Sequence, residues 1–230
     1  MAGKIYVVCV GISDYPGEKN DLELPVKDAT ALYNLYWKYA KAEALLITDG
    51  DAAKNNILSK LKEVFSKARE DDTVVFFFSG HGYAGGLVAS DNYALEYSDL
   101  KKVFSGCKAR HKMIFADACH SGTAREDRKA SREELKSVML FLSSRGEEVS
   151  FESGNMKNGY FTAALLGALK GGADVNRDRV ITAKELYDAV SKTVIQLSND
   201  NQHPVMWGNF DDEMPVMTWK KGMKKWTPSE

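Results

Sequence analysis

Two short stretches of this chain carry residues that could do chemistry, and each stands where an apolar run breaks. Met113-Ile-Phe-Ala-Asp-Ala-Cys-His-Ser-Gly122 runs apolar into Asp117 and then meets Cys119 among small and polar residues. Val74-Val-Phe-Phe-Phe-Ser-Gly-His-Gly82 breaks in the same way into His81, set between two glycines. A free thiol, with a pKa near 8.5, is mostly protonated at neutral pH, and only the thiolate attacks well. A neighbouring imidazole can take that proton during attack and hand it to the leaving amine. Gly80 and Gly82 let a substrate backbone approach without Cβ clashes, and a backbone N–H beside His81 or Cys119, such as that of Gly82, can face an oxyanion.

Taken singly, each motif has a plainer reading: a cysteine after a strand is usually a packed core residue, and Ser-Gly-His-Gly can be a turn. Found together, 38 positions apart at equivalent strand ends, they read as the Cys-His dyad of a cysteine hydrolase. His111 begins a strand and His203 precedes Pro204, which suits structural or surface residues. His120 adjoins the cysteine but points elsewhere by alternation.

The elements that must position this pair follow from periodicity. Ile5–Ile12 is continuously apolar, the pattern of a strand buried on both faces. Helical spacing follows over Val26–Tyr39, a short strand over Ala44–Thr48, and a second helix through Ile57, Leu61, Val64 and Phe65. Val74–Ser79 is the third strand, and Gly85 to Ala89 forms a small hairpin or flap beyond it. A helix over Tyr97–Phe104, a strand over Lys112–Asp117, a strand over Val138–Leu142, helices over Gly159–Leu169 and Ala183–Leu197, and short terminal strands after Pro204 complete the pass. Such alternation predicts a three-layer α/β fold, a mostly parallel sheet of about six strands with helices on both faces. Ligands then bind past the carboxyl ends of the strands, where His81 and Cys119 both fall.

At 230 residues and 44% apolar composition the chain suits one domain, and a net charge of −1 supplies no field for nucleic acid or an anionic membrane. The run Lys220-Lys-Gly-Met-Lys-Lys225 reads as solvated tail. Three cysteines suit a reducing, cytoplasmic setting, with Cys9 a core residue and Cys107 in a turn. The first apolar run leads into Ser-Asp, as a strand does and a signal peptide does not, and no stretch approaches the ~18 apolar residues of a membrane span.

Ser79-Gly-His-Gly82 and Asp117-Ala-Cys-His-Ser-Gly122 resemble the histidine and cysteine motifs of caspase-like peptidases, in the metacaspase and bacterial orthocaspase branch. The resemblance runs from the first strand to about Trp219 and implies a caspase-like fold over residues 1–230. Residues 1–123 resemble the large-subunit region, 124–136 an exposed linker, and 137–230 the small-subunit region. It also implies a substrate pocket. Asp117, two before the cysteine, and Asp28, in Leu24-Pro-Val-Lys-Asp-Ala29, match the carboxylates that receive the P1 side chain, with Ser79 beside them. Two carboxylates favour a guanidinium or ammonium, so cleavage is expected after Arg or Lys in a peptide or protein substrate. Pro25 stands where this segment often starts with cysteine, and Asp28 alone could equally be a first-turn helix acid. Ser143 and Ser144, with Arg145, match the strand that pairs with substrate backbone, and Ser150 and Glu152 match a segment near the pocket.

The segment after the cysteine carries Arg125, Arg128, Lys129 and Arg132, which suits self-cleavage between Arg125 and Lys136. The chemistry requires no cofactor, and a monomer suffices for it. Calcium is a candidate ligand elsewhere: Asp174, Asn176, Asp178, Thr182 and Glu185 take positions 1, 3, 5, 9 and 12 of an EF-hand-like loop. Arg179 sits where such a loop wants glycine, and Thr182-Ala-Lys-Glu185 is by itself a helix capping box. The alternative from another class is a caspase-like interaction module without turnover; a third reading is a different cysteine hydrolase, active on small esters or amides.

Overall fold

The computed structural model describes residues 3–83, 85–118, 138–145 and 157–218. In chain order its strands are β1 (Ile5–Gly11), β2 (Glu43–Thr48), β3 (Thr73–Gly80), β4 (Gly82–Tyr83), β5 (Gly86–Val88), β6 (Ala94–Glu96), β7 (His111–Ala118), β8 (Val138–Leu142), β9 (Val180–Thr182), β10 (Val205–Trp207) and β11 (Pro215–Thr218). The helices are α1 (Pro25–Lys38), α2 (Lys54–Phe65), α3 (Tyr97–Ser105), α4 (Tyr160–Gly167) and α5 (Ala183–Leu197). α4 runs on into a wider π-type turn over Ala168–Gly172, which Gly171 closes at φ 107°.

The central sheet has six strands in the order β10-β8-β7-β3-β1-β2. Five are parallel, and β10 closes one edge antiparallel to β8. β1, β3, β7 and β8 are nearly continuous apolar runs because helices cover both faces of the sheet. Successive side chains alternate between two cores. Val8, Val10, Phe76, Phe78, Ile114 and Leu140 pack with α2 and α3 through Ile57, Leu61, Leu100 and Phe104. Val7, Cys9, Val75, Phe77, Phe115 and Phe141 pack with α1, α4 and α5 through Leu32, Leu35, Phe161, Leu186 and Val190. This is the expected architecture, with helix and strand ends shifted by a residue or two.

The hairpin after the third strand is a three-stranded antiparallel flap of β4, β5 and β6, anchored by the fully buried Leu87 and Leu95. One strand was not anticipated. β9 lies inside the acidic loop and pairs with β11, Thr182 opposite Pro215. Three residues, of which Ile181 is fully buried, carry too little periodicity to announce themselves.

Candidate active site

Parallel pairing of β3 with β7 sets Ser79 opposite Asp117 and Gly80 opposite Ala118. His81 follows Gly80 directly, and Ala118 is the residue before Cys119 in the chain. Cys119 itself lies outside the described residues, as do His120, Arg125, Arg128, Lys129, Arg132, Ser150 and Glu152.

Three groups hold His81. Its Nε2 lies 2.7 Å from the carbonyl oxygen of Asn20. A carbonyl only accepts, so Nε2 carries a proton, and the tautomer this selects has Nδ1 as its acceptor. The His81 N–H donates to the Tyr15 hydroxyl at 2.9 Å, and the two rings pack at 4.6 Å with a 54° tilt. The His81 carbonyl accepts from the Val88 N–H at 2.9 Å, which ties the flap to the base. Both Tyr15 and Asn20 come from the Pro16-Gly17 loop after β1, and neither was anticipated. That loop is braced from within: the Tyr15 N–H donates to Asp21 Oδ1, and the Asn20 side chain donates to the Pro16 carbonyl.

The two acids meet beneath this edge. Asp28, in the first turn of α1, is 1% exposed, and Asp117, near the end of β7, is 7% exposed. Asp28 accepts from Ser79 Oγ at 3.0 Å, from Asn158 Nδ2 at 2.8 Å and from the Gly159 N–H at 3.2 Å. Its carboxylate therefore reaches across the fold to β3 and to the entry of α4, which goes beyond a first-turn acid's duty to its own helix. Asp117 Oδ2 accepts from the N–H and the hydroxyl of Thr162, at 3.1 and 2.7 Å. Gly159, at the N-cap of α4, has no side chain to cap with, so Asp117 satisfies one of that helix's open N–H groups instead. A Cβ built on Gly159 would stand 2.9 Å from Asp117 Oδ2 and 3.4 Å from Asp28 Oδ2. Its missing side chain is thus what lets the entry of α4 approach both carboxylates this closely.

Burial raises both acids. Asp117 is pushed up to about 6, against the pull of Thr162 and Ser143. Asp28 is held well above the carboxylate range, first by burial and then by the charge of Asp117, with Asn158, Ser79 and Gly159 opposing. Such a pair titrates as one unit, the second proton leaving against the first charge.

Ser143 and Ser144 are fully buried. The Ser143 N–H pairs with Ala116, its hydroxyl meets both the N–H and the carbonyl of Ala118, and its carbonyl accepts from Gln202. These bonds fix the end of β7, while Arg145 is the member of that trio at the surface. Gln202, also fully buried, joins Tyr15, Asn20, Asn158, Gly159 and Thr162 as a site residue that sequence did not single out. Cys9 and Cys107 are buried, the latter with its thiol 3.5 Å from the Phe65 carbonyl. His111 is lowered by burial and by Arg110, and His203 contacts Asp200 at 3.0 Å.

The acidic loop is far from this edge in chemistry. Asp174 accepts from the Arg179 N–H, Asn176 from Asp178, and Asp178 from Val180. Glu185 accepts from the Thr182 N–H and hydroxyl, completing the capping box of α5. Arg179 makes the sharp turn without glycine, at φ 69°. Among the described residues Asp174 Oδ1 is buried with no partner, and no three His, Cys, Asp or Glu side chains gather as a metal-holding group.

A model of the caspase domain matches residues 4–214. Metacaspase-1 of Debaryomyces hansenii is 25% identical over 219 residues, covering 79% of this chain and 49% of the relative. Metacaspase-1 of Scheffersomyces stipitis is 25% identical over 225 residues, covering 80% and 54%. The chain therefore spans about half the length of these curated relatives. Among solved structures, caspase-1 of Spodoptera frugiperda aligns at a TM-score of 0.70 and 14% identity, covering 97% of this chain and 92% of that one. A Geobacter sulfurreducens protein aligns at 0.69 and 15%, covering 94% and 100%. These structural likenesses speak for the fold, and the motif-bearing match over 4–214 speaks for the family: the chain belongs to the caspase-domain family of cysteine-type peptidases, with metacaspases among its relatives.

Proposed function

We propose that this chain is a cysteine endopeptidase that cleaves after Arg or Lys, with Cys119 as nucleophile and His81 as base and then acid. The observation that carries this reading is the buried pair Asp28 and Asp117 flanking Gly159, directly beneath the strand ends that lead into His81 and Cys119. In the mechanism, Nδ1 of His81 takes the thiol proton while Nε2 stays bonded to the Asn20 carbonyl. The thiolate adds to the scissile carbonyl, whose oxyanion faces the Gly82 N–H. The imidazolium returns the proton to the departing amine, leaving a thioester that water hydrolyses by the same base.

The acids supply selectivity. An empty pocket keeps a proton on the pair, because burial and mutual repulsion oppose full ionisation. An entering guanidinium replaces that proton with a fixed cation and finds carboxylate oxygens already oriented by Ser79, Asn158 and Thr162. A neutral or acidic P1 side chain gains nothing there. Arg145, at the surface beyond Ser144, is where an added substrate strand first meets the enzyme. The basic residues Arg125, Arg128, Lys129 and Arg132 make the chain its own candidate substrate. Fluorogenic peptides with Arg or Asp at P1, tested beside Cys119→Ala, decide the matter. Release after Arg alone, lost in the variant, is expected; no release from either supports an interaction module, and release after Asp refutes the acid pocket.

Calcium enters this reading only as a structural ligand of the 174–185 loop, outside the cleavage chemistry. Asp174 Oδ1, without a partner among the described residues, favours it, and the left-handed turn that Arg179 makes at φ 69° answers the lack of a glycine there. Glu185 must first leave Thr182 to join a cation, which makes the capping box a competitor. Calorimetric titration with calcium should give heat that Asp174→Asn removes; a flat titration of the parent protein ends this reading.

A further inference from the structure

We propose that Tyr15 is a positioning residue for His81, setting both the direction of the base and the plane of the peptide that carries the oxyanion donor. The inference rests on the peptidase reading above and deepens it.

Tyr15 is 3% exposed, so its hydroxyl must find partners inside the protein. It accepts from the His81 N–H at 2.9 Å and donates to the Val88 carbonyl at 3.1 Å. Val88 in turn donates its N–H to the His81 carbonyl at 2.9 Å. The backbone of His81 is therefore gripped on its N–H side by the phenol and on its carbonyl side by the flap, and the phenol joins the two grips. The Tyr15 ring also lies against the imidazole, 4.6 Å between centroids. With the Asn20 carbonyl on Nε2, one loop thus fixes the ring's height, tilt and tautomer.

Gly80 fits the same account. A Cβ there would stand 2.5 Å from the Tyr15 hydroxyl oxygen, and its φ of +156° is one that side chains rarely adopt. The glycine before the histidine is what admits the phenol to the His81 N–H. Burial also pushes the phenol's pKa well up, so the group stays a neutral hydroxyl, able to donate and accept at once. The loop that delivers it is tied down twice: Asp21 accepts from the Tyr15 N–H, and Asp49 accepts from the N–H groups of Ser13 and Asp14 at 2.8 and 3.0 Å.

A residue that only filled space would change stability and leave the rate per folded molecule alone. Tyr15→Phe keeps the ring and removes both hydrogen bonds. With an Arg-P1 peptide, kcat is expected to fall about 10- to 100-fold, the scale of a misplaced catalytic group, with KM within about twofold. The ¹⁵N-resolved imidazole signals of His81, one Nε2-protonated tautomer in the parent, should become a tautomer mixture. Asp21→Ala, which frees the loop without touching the phenol, should shift both readouts less and in the same direction, and it serves as the test if Tyr15→Phe does not fold. Unchanged kcat and an unchanged tautomer in the folded variant overturn the proposal. If the parent cleaves no peptide at all, the peptidase reading fails on its own, and the imidazole spectra still decide whether Tyr15 positions His81.

Discussion

Asp28 and Asp117 take their hydrogen bonds from Ser79, Asn158 and Thr162, which lie 51, 130 and 45 positions away in the chain. Asp174, Asn176 and Asp178 take theirs from backbone N–H groups two to five positions on. The first pair is buried and held above its ordinary pKa; the second set is largely exposed and closes its own turns. Like residues thus serve unlike ends. An acid satisfied by distant donors holds large pieces of the fold together, and its burial favours keeping a proton. An acid satisfied by its neighbours spends its oxygens on local shape.

The sharpest way to break this contrast is to remove charge and keep shape. In Asp117→Asn one amide oxygen can still accept both bonds from Thr162; in Asp28→Asn the oxygen can keep Asn158 and Gly159 while the amide N–H donates to the Ser79 hydroxyl, which can turn to accept, so both variants should fold. Each should lower kcat/KM for an Arg-P1 peptide by about 10²- to 10³-fold, the loss expected when a buried charge partner disappears, roughly 3–4 kcal/mol. Assays of purified, folded variants that keep full cleavage after Arg would make both acids mere fasteners.

Proton linkage gives the next effect. The native pKa of Asp117, about 6, lies above its ordinary 3.8, so the native state holds its proton more tightly than the unfolded chain does. Its contribution to stability is complete below the unfolded value and is lost as pH rises through about 6. Denaturant titrations should find Asp117→Asn more stable than the parent at pH 7.5, by up to about 3 kcal/mol, and no more stable at pH 4. If a basic P1 side chain meets the ionised pair, as proposed, KM for an Arg peptide should fall over the same rise in pH. A KM that is flat from pH 5 to 7.5 removes the shared proton from the account.

Space beside the acids is a separate requirement. Gly159 has φ −56°, which any residue adopts, so the glycine is needed for room rather than for conformation. Gly159→Ala puts a methyl group 2.9 Å from Asp117 Oδ2. It should raise KM for Arg peptides about tenfold, at a cost near 1.4 kcal/mol, with Lys peptides, whose head is smaller, affected less. Equal losses on both substrates would argue that the methyl disturbs α4 and not the pocket.

How much of this was readable beforehand depends on how far apart the partners lie. The continuous apolar runs of β1, β3, β7 and β8 declare strands covered on both faces, and Ala183–Leu197 declares its helix together with the Thr182–Glu185 cap. The adjacency of the two motif-bearing strand ends follows from βα alternation. Tyr15 and Asn20 were invisible, because nothing near Pro16-Gly17 hints that its carbonyl and phenol meet a histidine 61 and 66 positions later. Ser143 is assigned by the family resemblance to the strand that pairs with substrate backbone. Its burial and its bonds to Ala116, Ala118 and Gln202 depend on the register of β8 and on a residue 59 positions on.

The smallest expected effect belongs to the local acids. Thr182→Ala removes the hydroxyl that accepts from the Glu185 N–H at 3.3 Å and donates to its carboxylate at 3.1 Å. Loss of such a cap costs about 1 kcal/mol. Because the bonds span three positions, the damage should stay local: amide exchange should speed at the first turn of α5 and remain slow in β3 and β7, whose amides are protected by the sheet. Asp117→Asn, by contrast, changes a bond that joins β7 to α4 across 45 positions, and it should alter exchange at the α4 entry without touching α5. If Thr182→Ala instead loosens β7 or α4, the acidic loop is coupled to the cleavage edge through α5, and the division between distant and local acids fails at its weaker end.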